Sequence, residues 1–229
     1  MWVFTERPIA LVGAIAGLVS IPGVMFPVFV QLEKEDLKRA FSKVFKYSSI
    51  LAFPVVFGLL RIGKKLIGFV YGAEYLPAEL VLYILSFLIL RSALGFWGVI
   101  FNAKEKPEYP VYISFFAMTL NIILNYVLIL RIGMVGAAIA TVISNAFSWL
   151  TLAHLSRKLF DVFPEFNHIF KPLIASLVMY FMISHLGLNS LLDGAIVVVS
   201  GALIYFTALM VLRGLTKNDI RYIRTVFGF

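Results

Sequence analysis

The sequence predicts an all-α membrane protein of about seven transmembrane helices, and three observations predict it. Hydrophobic residues make up 61% of the 229 and charged residues 14%, where an ordinary globular domain is roughly a quarter charged and at most about half apolar. The mean hydropathy is +0.96. Apolar runs of about 20 residues, the length that crosses the hydrocarbon at 1.5 Å per residue, recur along the whole chain.

Seven such runs are expected to be helical: 9–32, 41–60, 80–101, 110–130, 134–155, 172–188 and 191–212, within a single transmembrane domain 1–229. Lipid supplies no partner for backbone N–H and C=O groups, so each run must satisfy its own. The short alternating segments of an outer-membrane barrel are absent. A soluble reading would have to bury seven nearly charge-free helices in one domain, which disfavours it.

Each run has its own character. The first lacks a basic lead and an A-x-A site, so no removable signal peptide is expected. The second follows the charged stretch "EKEDLKRAFSKVFK", whose Glu33, Glu35 and Asp36 beside Lys34, Lys38 and Arg39 read as a solvated face. Pro54 sits inside this run and removes one backbone bond, giving a kink or a hinge. The third carries Arg91, and the fourth Asn121 and Asn125. Glu79 and Asp193 lie at run ends, so no carboxylate occupies the middle of any run. His154, His168 and His185 stand apart near run ends, which favours interface positions over metal or proton work. Cysteine is absent, removing disulfides and thiolate sites from consideration.

The basic residues set an orientation. Fourteen of the twenty Lys and Arg follow runs one, three, five and seven, Lys43 and Lys46 among them at the start of the second run. Five fall on the opposite side: Arg7, Arg61, Lys64, Lys65 and Arg131. The positive-inside rule makes the richer side cytoplasmic, with the N-terminus outside and the C-terminus inside. The net charge of +8 is thereby explained without nucleic acid. An outside start would require something upstream to place it there.

The fifth run opens with "RIGMVGAAIATVIS", residues 131–144. Gly136, Ala140 and Ser144 share one helical face, with Ala137, Thr141, Asn145 and Ser148 beside it. In lipid, helices associate through close backbone approach and interhelical hydrogen bonds, so this face reads as a packing seam or a cavity lining.

The stretch "NYVLILRIGMVGAAIATVIS" (125–144) resembles a hairpin of the polysaccharide flippases. These are the Wzx-like O-antigen and exopolysaccharide transporters of the multidrug/oligosaccharidyl-lipid/polysaccharide exporter superfamily. "VYGAEYLPAELVLYIL" (70–85) is similar to their aromatic-glycine-x-x-tyrosine opening of a span, and "FKYSSILAFPVVFGLL" (45–60) to their Pro-centred helix. The resemblance covers most of residues 25–155; runs six and seven match only in hydropathy and placement. It implies one lobe of a two-lobed transporter, the C-terminal half of a fourteen-span chain. Such a half would need an N-terminal half or a second protomer, and would move polyprenyl-pyrophosphate-linked glycan across the cytoplasmic membrane by alternating access.

On that reading Arg91 offers a planar fork for a pyrophosphate or an acidic sugar. An intramembrane charge costs about 2.5 kcal/mol or more and usually faces a bundle interior or an aqueous cavity. Alternatively, Arg91 pairs with helix-end carbonyls or a carboxylate of the other lobe. Asn121 and Asn125 can hydrogen-bond sugar hydroxyls, or join helices. Arg61, with Lys64 and Lys65, forms a rim that attracts an anionic headgroup or anchors the outer interface. No cofactor or enzymatic chemistry is expected. Three alternatives stay open: a multidrug exporter of the same superfamily, a membrane-embedded polyprenyl-phosphate glycosyltransferase or polymerase, and a non-transporting scaffold subunit.

Overall fold

The computed structural model describes residues 3–19, 26–165, 167–188 and 190–215. The middle of the first run and the basic residues Lys217, Arg221 and Arg224 lie outside the described residues, as does the side chain of Arg7. The described residues form helices and short turns, with no strand among them. Ala73–Ala103, Glu108–Phe160 and Leu192–Val211 are each long and apolar enough to cross a membrane.

Helices α1 (Val3–Val19) and α2 (Phe26–Gln31) cover the first run. α3 (Lys34–Tyr71) carries the charged stretch and the Pro-centred run as one helix. Glu35 and Asp36 in its first turn complement the N-terminal dipole, and Gly72 ends it at φ 95°, a left-handed position that glycine adopts without strain. A 3₁₀ segment, Ala73–Ala78, leads into the third run.

That run is helical in three pieces: α4 (Glu79–Leu85), α5 (Phe87–Leu94) and α6 (Trp97–Ala103). The break after α5 falls at Gly95, where a Cβ would overlap the Arg91 carbonyl and sit 3.2 Å from the Trp149 ring. Trp149 Nε1 donates to the Leu94 carbonyl at 3.3 Å, using an acceptor at the break.

α7 (Glu108–Phe160) is a hairpin rather than a rod. Ile132 (φ −132°, ψ 17°) and Gly133 (φ 60°, ψ −135°) reverse the chain, so 108–131 and 134–160 run antiparallel. Gly136 makes the close return possible, since any Cβ there would collide with the Leu128 carbonyl. α8 (Asn167–Ser184) and α9 (Leu191–Val211) follow. α9 opens on a capping box in which Ser190 Oγ accepts from Asp193 N at 3.1 Å and Asp193 accepts from Ser190 N at 2.9 Å.

The main core joins α1 to α7. Its densest part is aromatic: the Phe41 ring lies 4.7 Å from that of Trp97 and 4.8 Å from that of Phe96. A second cluster, built on Ala175, Met179, Ile183, Val197 and Tyr205, fastens α8 and α9 to Ile50 of α3. Outward-facing residues are large and apolar: Tyr126, Leu130, Leu192 and Val211 are each at least 74% exposed. A water-facing surface of this kind would aggregate, whereas in hydrocarbon these side chains match their solvent.

Candidate functional site

The two arms of α7 carry a cluster of amide and hydroxyl side chains within the apolar body. Asn121 and Asn125, one turn apart on the first arm, face the small-residue arm. Asn121 Nδ2 donates to Ser144 Oγ at 3.1 Å, and Asn125 Nδ2 to Asn121 Oδ1 at 2.9 Å. Ser144 Oγ in turn meets the carbonyls of Ala140 (2.9 Å) and Thr141 (3.1 Å). Gly136, Ala140 and Ser144 are buried against the first arm, so this face is the packing seam.

The adjacent face opens. Thr141, Asn145 and Ser148, with Ser114 and Asn121, line a recess of about 280 Å³, and Arg91 of α5 closes its side. Thr141 and Asn145 satisfy their own helix, donating to Ala137 (2.9 Å) and Thr141 (2.8 Å) carbonyls. Arg91 stands in the last turn of α5, where a cation complements the helix dipole. It is exposed on the surface of this lobe and makes no ion pair among the described residues. The recess therefore combines one cationic fork with neutral amides and hydroxyls, a donor set for phosphate oxygens and sugar hydroxyls. No group of three His, Cys, Asp or Glu residues that could hold a metal occurs among the described residues.

Arg61 is placed elsewhere. Its Nε donates to the Ile183 carbonyl at 3.2 Å and its Nη2 to the Leu186 carbonyl at 2.5 Å, both at the C-terminal end of α8. The role of partner to helix-end carbonyls, weighed for Arg91, is the geometry Arg61 adopts. Lys64 pairs with Glu79 at 3.2 Å. Arg91 and Asn121 thus line one recess, Asn125 stands behind Asn121 through their hydrogen bond without lining it, and Arg61 lies elsewhere.

Residues 5–207 match the family model described as lipid II flippase MurJ. The chain belongs to the MurJ lipid II flippase family. Among its relatives is the probable low-salt glycan biosynthesis flippase Agl15 of Haloferax volcanii, 30% identical over 89% of this chain and 46% of that protein. The teichuronic acid biosynthesis protein TuaB of Bacillus subtilis is 25% identical over 86% of this chain and 43% of its own length. The solved structure of a MurJ in an inward closed conformation superposes with a TM-score of 0.80 at 16% identity, over 90% of this chain and 45% of that one. That likeness shows a shared membrane-transporter fold. The chain spans just under half the length of these MurJ-like relatives, and the resemblance read from residues 45–60, 70–85 and 125–144 points to the same group of flippases.

Two features of the site escaped the sequence. Ser114 lies seven residues, about two helical turns, before Asn121, a spacing that marks the same face once the arm is known to be helical. The break at Gly95 carries a weaker signal, because glycine is common within transmembrane helices and need not interrupt them.

Proposed function

We propose that this chain is the C-terminal lobe of a flippase that carries polyprenyl-pyrophosphate-linked glycan units across the cytoplasmic membrane. Seven spans cross the bilayer, from an outside N-terminus to a cytoplasmic C-terminus. An N-terminal half or a second protomer supplies the facing wall, and alternating access follows from rocking of the two lobes. The observation that carries this reading is the recess: Arg91, with no ion pair among the described residues, beside the Asn125–Asn121–Ser144 hydrogen-bond chain. Membership of the flippase family and the Agl15 and TuaB relatives support the glycan class. The process is transport and needs no covalent step: Arg91 holds phosphate oxygens while the amides take hydroxyls.

The test is export in cells that carry the chain with an upstream half. Arg91→Ala should leave membrane insertion intact and reduce export of lipid-linked glycan about 10- to 100-fold, the loss of one charge-assisted contact of about 1.5–3 kcal/mol. Unchanged surface glycan in that variant would remove Arg91 from the site.

A further inference from the structure

Away from the recess, the start of α8 and the end of α9 meet the first half of α3 around a second, smaller pocket of about 180 Å³. Lys46, His168, Lys171 and Arg213 line it, with Glu165 as its acid and Ile50 at its apolar floor. Lys171 Nζ donates to the Arg213 carbonyl at 3.1 Å, which ties α8 to the end of α9. Arg213 is held at φ 51°, a left-handed turn that ends the helix beside the pocket. Two apolar runs reach their inner limits at the pocket, at residues 172 and 212, while Lys46 and Ile50 stand inside the run 41–60; on the proposed orientation its α8–α9 side is near the depth of lipid phosphates.

We propose that this pocket binds the phosphate headgroup of one anionic phospholipid of the cytoplasmic leaflet. It rests on the orientation proposed above and is independent of what the lobe transports. The charge argument uses the described residues: Lys171 and Arg213 outnumber Glu165 there, and Glu165 is already directed to His168 Nε2 at 3.9 Å. Basic pockets between transmembrane helices on the cytoplasmic side suit anionic headgroups, and that leaflet presents them. The volume suits a phosphodiester and falls short of the roughly 300–1,000 Å³ of a pocket for drug-sized ligands. The side chains converge from three helices, so an occupant would clamp the α8–α9 pair onto α3.

The test titrates the purified chain, in detergent, with dioleoyl phosphatidylglycerol, dioleoyl phosphatidylcholine or inorganic phosphate. Native mass spectrometry counts retained lipids and thermal melting reads stabilisation. One phosphatidylglycerol should be retained under activation that strips phosphatidylcholine, and it should raise the melting temperature. Lys171→Gln combined with Arg213→Gln should weaken that retention about tenfold or more, and Lys171→Arg combined with Arg213→Lys should keep it. Equal retention of the two lipids by the unaltered chain overturns the proposal, whatever the variants do. So does retention that survives the Gln pair. Stabilisation by inorganic phosphate without phosphatidylglycerol selectivity would assign the pocket to a soluble anion and overturn the lipid.

Discussion

The Tyr205 hydroxyl of α9 donates to the Ile50 carbonyl of α3 at 2.8 Å. Ile50 stands four residues before Pro54, so its carbonyl is the acceptor that the proline, lacking an N–H, leaves without a helical partner. Tyr205 is 1% exposed, and no water competes for that carbonyl. Tyr205→Phe should therefore cost about 1–3 kcal/mol, the penalty of an unpaired buried polar group. In a Pro54→Ala background the restored backbone N–H takes the carbonyl, and the same Tyr205→Phe change should cost much less. A double-mutant cycle on unfolding in detergent reads the difference. Equal costs in both backgrounds would refute the pairing.

Arg61 should behave as a structural cation. Arg61→Ala frees the Ile183 and Leu186 carbonyls at the end of α8 and should lower stability by about 1.5–3 kcal/mol, the range for hydrogen bonds from a charged group. Glycan export per folded molecule should be unchanged. A drop in export at unchanged thermal stability would instead return Arg61 to the headgroup role.

Within the recess, Asn121 both joins the arms and faces the cavity, so the two effects need separating. Ser144→Ala removes the seam acceptor and should cost about 1 kcal/mol of stability, with a smaller loss of export because Ser144 only borders the recess. Asn145→Ala leaves that seam bond in place, removes an amide that lines the recess, and should reduce export instead. Melting curves beside export assays distinguish the two, and identical profiles would show that the amides serve packing alone.

Lys38 and Asp161 meet at 2.9 Å, tying the start of α3 to the turn after α7. The Lys38 ammonium, by hydrogen bond and by charge, holds the Asp161 carboxyl below its ordinary 3.8. Reciprocally, Asp161 raises Lys38 above 10.5. The carboxylate's contribution is complete above its ordinary value and is lost as pH falls through the depressed one; the ammonium's is complete below 10.5 and is lost as pH rises through the raised one. Stability from this pair should be flat across neutrality. Both groups are exposed, so the effect should be small and weakened by salt. Melting temperatures of Asp161→Asn and the unaltered chain should converge at low pH; a gap that persists at acid pH would rule the pair out.

Much of this fold was legible because hydrophobic length is a strong signal in a bilayer. The arms of α7 follow the runs 110–130 and 134–155, and Gly133 stands at their junction. Arg91, Asn121 and Asn125 stood out for a physical reason: a polar side chain is costly in hydrocarbon, so each needs an explanation. What stayed hidden depended on contacts between distant segments. Arg61 and the end of α8 lie more than 120 residues apart, and so do Lys38 and Asp161. The segmentation of 80–101 was masked by uniform hydropathy, because an apolar run reads alike whether its helix is whole or broken.

The two-residue reversal at Ile132 and Gly133 has a mechanical consequence. With no slack between the arms and Gly136 locked under Leu128, α7 can only tilt as one stiff blade. Compliance on that side of the lobe is left to the jointed strip α4–α6 across from it, and Gly95 is the joint next to Arg91. A spin label on each arm should report one unvarying separation through the whole cycle, while a pair spanning Gly95 should report two.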